Sequence, residues 1–453
     1  MVQRDRFTLE FQDQDALKRA LYQLGSSQRR DGAPWLFLDS HQHEDPFGVF
    51  EALMGLGAAA TFSINHCADG DWEQLKSWYS AQNDWCLGHL GYDLKNADEG
   101  LTSMNPDEVE FPDLHFFVPE KLFMVKKNHL EAFYLPTRAH EWTQDAAQLN
   151  EYLAAPESST LIETRCEDSE QGIVLEGRWT QEVYAQKFDE IQKHIQLGDI
   201  YETNFCQEFF RPNVSVDPAK LFQRLSQFSK APFSAFYSLG THSALCASPE
   251  RYLTKRGRQL ISQPIKGTLK RHQDLDVDQK ALAEFIEDPK ERRENIMITD
   301  LVRNDLSKVA ARNSVQVKTL CKLESYQHVH QMVTTVTAEL KDGLGPIDAL
   351  SATFPMGSMT GVPKVRALQL MEHFEGHKRG LYSGAIGYLT PEGDFDFNVV
   401  IRSLLYNSST RYLSLSVGGA ITSSANAKDE YRECLLKAEA LRQVLAKSKT
   451  TLA

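Results

Sequence analysis

Gln263-Pro264-Ile265-Lys266-Gly267-Thr268 sets a lysine between a proline, whose ring fixes the backbone, and a glycine that lets other chain approach closely. A lysine in a turn is most often a solvated surface residue. Its meaning here depends on the rest of the chain, so the sequence is read outward from it.

On either side of Lys266 the chain alternates strand and helix signals. Upstream, Thr180 can cap a helix in which Tyr184, Phe188, Ile191 and Ile195 recur at helical spacing, and Gly198 supplies its stop. The segment Ile200 to Phe205 then leaves as a strand. Further strands are expected at 235–239, 244–247, 388–390 and 413–417, with long helices near 280–310, 363–374 and 427–446. Before residue 150, Phe7 to Phe11 alternates as a half-buried strand and Leu17, Leu21 and Leu24 share one helical face. Trp35 to Leu38 and Leu87 to Tyr92 read as strands, and 122–125 with 130–135 as a hairpin. The polar, acidic stretch from Ala154 to Gly172 separates two lobes, 1–165 and 175–447. An α+β protein follows, with a strand-rich first lobe.

At 453 residues the chain can bury a large core. The formal charge of -13 argues against nucleic acid as a partner, because phosphate backbones are held by excess lysine and arginine. No apolar run is long enough for a membrane span, and Met1 to Asp15 has no apolar core of a secretory signal, so a cytoplasmic location is expected. Seven scattered cysteines without a CxxC pair suit reduced thiols better than disulfides or zinc.

Several stretches can carry chemistry. Asp288-Pro289-Lys290-Glu291 has the form of a helix start, with a capping aspartate and proline at the first helical position. Glu291 and Glu294 lie three apart on one face of that helix, and Glu430 and Glu433 repeat the spacing on the last one. Two such pairs can cradle a hard cation such as Mg2+, or they can be ordinary solvated salt bridging. Gly357 to Lys364 is glycine-rich but lacks the GK[ST] ending of a phosphate loop, which excludes nucleotide binding there; it can hold an anion or be only a tight turn. Val417-Gly418-Gly419-Ala420 can offer bare backbone N–H groups to a carboxylate, or simply let two strands pack.

Ser248-Pro249-Glu250-Arg251, Pro264 to Thr268, Arg293-Glu294-Asn295 running into Asp300 to Asp305, Met359 to Lys364, Ser383 to Tyr388 and Glu430-Tyr431-Arg432-Glu433 occur together and in this order. Over about residues 175 to 445 the chain thereby resembles the chorismate-utilising enzymes, and among them the component I branch of the aminodeoxychorismate synthases. Residues 1–165 match more loosely, chiefly through Gly91-Tyr92-Asp93-Leu94. The resemblance implies a two-lobed fold with an orthogonally packed β-sandwich core flanked by helices, and a cleft that takes chorismate with magnesium. It implies Glu294 and Glu433 as metal ligands, with Glu291 and Glu430 acting through water. Gly267 and Thr268 would lie beside the ring carboxylate, and Tyr382 and Arg402 would hold the enolpyruvyl carboxylate, with Gly418 and Gly419 also at the substrate. Glu250 matches the family's general acid.

Lys266 refines the expectation. Anthranilate synthases resemble the chain throughout but carry alanine in the corresponding PIAGT motif, whereas the PIKGT lysine of aminodeoxychorismate synthases adds to C2 of the substrate. The reaction implied is chorismate plus ammonia to 4-amino-4-deoxychorismate, on the way to para-aminobenzoate and folate. Ammonia would come from a separate glutamine amidotransferase subunit, component II, because no glutaminase motif belongs to this chain. The alternatives are an anthranilate synthase component I, a salicylate or isochorismate synthase and, from another class, a non-catalytic chorismate-binding regulatory subunit. Two positions depart from the family pattern. Glu202 stands where glutamine or a water-activating lysine is usual, which speaks against hydration chemistry and offers Lys266 or ammonium a partner. Gln331 replaces a common histidine, and His330, one residue early, is expected to point elsewhere.

Overall fold

The computed structural model describes residues 3–28, 32–155, 172–272, 274–326 and 329–446. Two antiparallel sheets and the helices on their outer faces make an α+β sandwich. The first sheet runs from the edge strand Asp5–Glu10 through His129–Tyr134, Lys121–Val125, Ala52–Leu56, Trp35–Asp39, Phe233–Leu239, His242–Ser248, Ser403–Asn407, Tyr412–Thr422 and Glu202–Arg211 to Gly361–Val362. The second runs from Ile265–Lys270 through Val329–Glu339, Gln259–Gln263, Arg251–Arg256, Phe395–Asn398, Ala385–Leu389, Cys86–Leu90 and Leu114–Val118 to Ala60–Ile64.

The alternation that marked each strand explains the layering. Successive side chains point to opposite faces, so one strand can serve two cores. On Glu202–Arg211, Cys206 belongs to the core between the sheets with Leu87, Phe116, Tyr252 and Phe397, whereas Phe205 and Phe209 belong to the core beneath the helices with Leu17, Tyr184 and Leu441. Burying one such leucine fully is worth about 2 kcal/mol.

The expected connection at 154–172 lies almost entirely outside the described residues. The strands on its two sides are interleaved, not set side by side. Trp35–Asp39 pairs with Phe233–Leu239, and Cys86–Leu90 pairs with Ala385–Leu389, so each sheet draws on both 1–165 and 175–447. The two segments thereby share cores.

Local signals set most element ends. Thr180 caps Gln181–Gln196 by accepting from the Val183 N–H. The long helix expected near 280–310 is two helices, Leu275–Ile286 and Pro289–Ser307. The break has a covalent cause: proline lacks an N–H and bars the preceding residue from helical backbone. Asp288, extended at φ -61° and ψ 116°, then caps the second helix by accepting from the Lys290 and Glu291 N–H groups. Residues Ala427–Leu445 form the last helix, capped by Asn426. Six cysteines among the described residues carry free thiols.

Candidate active site

Pro289–Ser307 packs its Ile298, Val302 and Leu306 into the core between the sheets and ties itself down through Asn295. The Asn295 amide donates to the Met332 carbonyl at 3.1 Å, and its oxygen accepts from the Thr334 hydroxyl at 2.5 Å. This fixes the turn that carries Glu291 and Glu294 against the strand Ile265–Lys270. The last helix brings Glu430 and Glu433 to the same place, and Lys437 ties that helix to the sheet by donating to the Gly418 carbonyl at 2.8 Å.

Lys266 lies among these carboxylates. Its ammonium donates at 3.0 Å to Oε1 of Glu202, which lies on a strand of the other sheet. Burial alone would drive the proton off Lys266, but Glu202, Glu294 and Glu250 outweigh it and raise the group well above an ordinary lysine. In this arrangement Lys266 is an ammonium.

Glu250 sits in the turn between His242–Ser248 and Arg251–Arg256 and is 4% exposed. Burial pushes its carboxyl up to about 7, against the pull of Ser358, Lys266 and Arg402. Its neighbour Arg251 is fully buried between Asp45 and Asp396, which anchors the turn to both lobes. A carboxyl that keeps its proton near neutral pH is what a general acid requires.

The four glutamates divide by environment. Burial raises Glu294 and Glu430 to about 7 each and raises Glu291 as well, whereas Lys437, at 2.7 Å, holds Glu433 down. Glu294 Oε1 is buried without a hydrogen-bond partner among the described residues. Among the described residues no three ligand groups converge on one point. Instead the Lys290 ammonium lies between the helices, 3.6 Å from Glu430 and 3.9 Å from Glu294. The buried Glu294 oxygen is of the donor type a hard divalent cation takes, and in this arrangement the Lys290 ammonium is the cation nearest to it.

Gly267 needs to be glycine. Its φ is +85°, and a Cβ there would meet Glu291 Oε2 at 2.7 Å and Phe285 at 2.9 Å. Gly267→Ala is therefore expected to cost about 1 kcal/mol or more of stability and to displace Glu291. A chemical denaturation midpoint equal to that of the wild type would contradict it.

The other expected residues separate. Thr268 pairs with Gln331 across the strands, within 3.4 Å of its amide, and the Gln331 oxygen is buried without a partner among the described residues. His330 faces away, between Asp278 at 3.0 Å and Ser325 at 2.7 Å. Arg402 holds an unusual φ of +50° beside Glu250 and Tyr326, and no hydrogen bond or ion pair engages its guanidinium among the described residues, so it is free to take an anion. Tyr382 is buried with its hydroxyl 4.0 Å from Cys206 Sγ, and among the described residues no hydrogen bond joins it to Arg402. A Cβ on Gly419 would meet Glu430 Oε2 at 2.9 Å, and one on Gly418 would meet Cys206 Sγ at 2.6 Å, so the pair admits Glu430 and close strand packing. The turn at Gly357 to Lys364 acts as a buttress. Gly361 pairs beside Glu202 so closely that a Cβ would lie 2.3 Å from its carbonyl oxygen.

Sequence reasoning did not select Lys290 or Ser358. Lys290 had a usable signal, its i, i+4 spacing to Glu294. Ser358 had none beyond its glycine neighbour.

The fold agrees with the comparisons. A family model described as chorismate binding enzyme matches residues 34–443, and the chain belongs to that family of chorismate-utilising enzymes. Among curated relatives it is 31% identical to aminodeoxychorismate synthase component 1 of Bacillus subtilis, over 79% of this chain and 76% of that one. It is 32% identical to the Escherichia coli protein of the same name, over 80% and 77%. An anthranilate synthase component 1 from Thermus thermophilus is also 31% identical, over 78% and 76%, so overall identity does not divide the two activities. Among solved structures, anthranilate synthase component I from Streptococcus pneumoniae has the same fold, with a TM-score of 0.74 at 24% identity over 88% of this chain and 94% of that one.

Proposed function

We propose that this chain converts chorismate and ammonia into 4-amino-4-deoxychorismate in para-aminobenzoate and folate biosynthesis, working in the cytoplasm with a glutamine amidotransferase partner. The observation that carries the reading is the lysine at position 266, set among Glu202, Glu250 and Glu294 where its anthranilate-forming counterparts carry alanine. Relatives bearing the aminodeoxychorismate synthase name support it.

The chain's own groups divide the work. Arg402, without a partner beside Glu250, takes a substrate carboxylate and directs the ring toward the acid. Glu250 gives its proton to the C4 hydroxyl, which leaves as water in place of hydroxide. Lys266 passes one proton to the Glu250 carboxylate so formed, and its amine then bonds to C2 as the ring double bonds shift; ammonia next bonds to C4 while the bond from C2 to the lysine breaks. Magnesium held by Glu294 and Glu433, with Glu291 and Glu430 through water, would orient the ring carboxylate and offset the negative charge that keeps Lys266 protonated.

Purified protein supplied with chorismate, ammonium and magnesium tests the reading. Mass spectrometry and NMR of the product are expected to show 4-amino-4-deoxychorismate. Fluorescent anthranilate as the main product would favour the component I anthranilate synthase alternative.

A further inference from the structure

Glu202 is 1% exposed, and only one of its two carboxylate oxygens has a partner. Oε1 accepts from Lys266 at 3.0 Å, while Oε2 is buried with no hydrogen-bond partner among the described residues. The residue cannot swing to solvent. It opens the strand Glu202–Arg211 between Tyr412–Thr422 and Gly361–Val362, paired with Thr422 on one side and Val362 on the other.

Lys266 stays the counter-charge of Glu202 after it bonds to C2, because an alkylated amine is still an ammonium, but it satisfies only Oε1. A buried acceptor left without a partner is costly, so Oε2 calls for a second donor, and a carboxylate holds a cationic one most strongly. Glu202 therefore still has one buried oxygen unpaired at the stage when nitrogen must arrive. We propose that Glu202 is the ammonium subsite of this enzyme, binding NH4+ through Oε2 beside Lys266 and handing on its proton when ammonia attacks. This inference rests on the covalent reading of Lys266.

The proton balance is closed. Ammonium gives one proton to Glu202, and the ammonia so formed uses its lone pair to make the bond to C4. The adduct nitrogen is a secondary ammonium, so when its bond to C2 breaks Lys266 leaves as a neutral amine and then takes the proton from Glu202 to become an ammonium again. The proton it gave up before attack has restored Glu250. Glu202 ends as the carboxylate it began as, and no oxidant or reductant is needed.

The test uses ammonium chloride as nitrogen source with the full chain, chorismate and magnesium at one pH. Potassium, an ion of similar radius, is expected to inhibit competitively against ammonium in the wild type. Glu202→Gln is expected to raise KM for ammonium about 10-fold or more, the loss of one charged hydrogen bond, with KM for chorismate little changed. Potassium inhibition should weaken in that variant and persist in Glu202→Asp. An unchanged KM for ammonium with a lower kcat, or wild-type activity indifferent to potassium, would overturn the subsite. Trapping of the chorismate adduct on Lys266 without ammonium is read separately. Its absence in the wild type would count against the covalent reading, while the ammonium and potassium results still judge Glu202.

Discussion

Glu250→Gln is expected to lower turnover by about 10²- to 10⁴-fold, the usual contribution of a positioned general acid, while chorismate still binds. The amide copies the neutral acid in size and polarity but has no proton to give. Since burial lifts Glu250 to about 7, wild-type kcat/KM should fall as pH rises through about 7, and that limb should vanish from the residual rate of the variant. Stability supplies a control. A carboxyl whose folded pKa is raised from 4.5 to about 7 contributes stability below pH 4.5 that is lost as pH rises through 7. The glutamine escapes this loss, so the melting temperature at pH 8 should not fall below that of the wild type. Steady-state kinetics with calorimetric chorismate binding reads both parts. Turnover within a few-fold of wild type would remove Glu250 from the acid role.

Lys266→Ala carries the other large effect. Losing the amine should abolish covalent trapping of substrate and turn the residual chemistry toward attack by ammonia at C2, giving anthranilate. The change also leaves Glu202, Glu294 and Glu250 without the ammonium they share. Charge repulsion among them should raise the demand for magnesium, measurable as a steeper metal dependence of melting temperature. Product analysis by mass spectrometry decides the chemical part, and an unchanged product formed at an unchanged rate would contradict it.

Much of the site could be read before any fold was in view. Asp288 and Pro289 announce a helix start through the backbone chemistry of capping and of proline, and spacing alone places Glu291 and Glu294 on one face of that helix. The displacement of His330 was legible in the same way, because a shift of one residue on a strand turns a side chain to the opposite face. The pairing of Glu202 with Lys266 was foreseeable as a charge argument, although its 3.0 Å geometry was not.

Long-range features were not legible. Nothing local to Trp35–Asp39 tells it to pair with Phe233–Leu239, since register in a sheet is set by partners some 200 residues away rather than by the strand's own pattern. Arg251 next to the acid gave no hint that Asp45, from the far end of the chain, would hold it. Lys290 looked like one more helix lysine until the last helix placed Glu430 across from it.

The central claim is that Lys266 bonds to the substrate. Incubation of the full chain with chorismate and magnesium in the absence of ammonia, followed by intact-protein mass spectrometry and peptide mapping, tests it most directly. The expected result is a protein heavier by one chorismate less one water, with the added mass on the peptide containing Lys266 and absent in Lys266→Ala. Turnover with ammonia in a protein that never shows that adduct, or an adduct mapped to another residue, would contradict it.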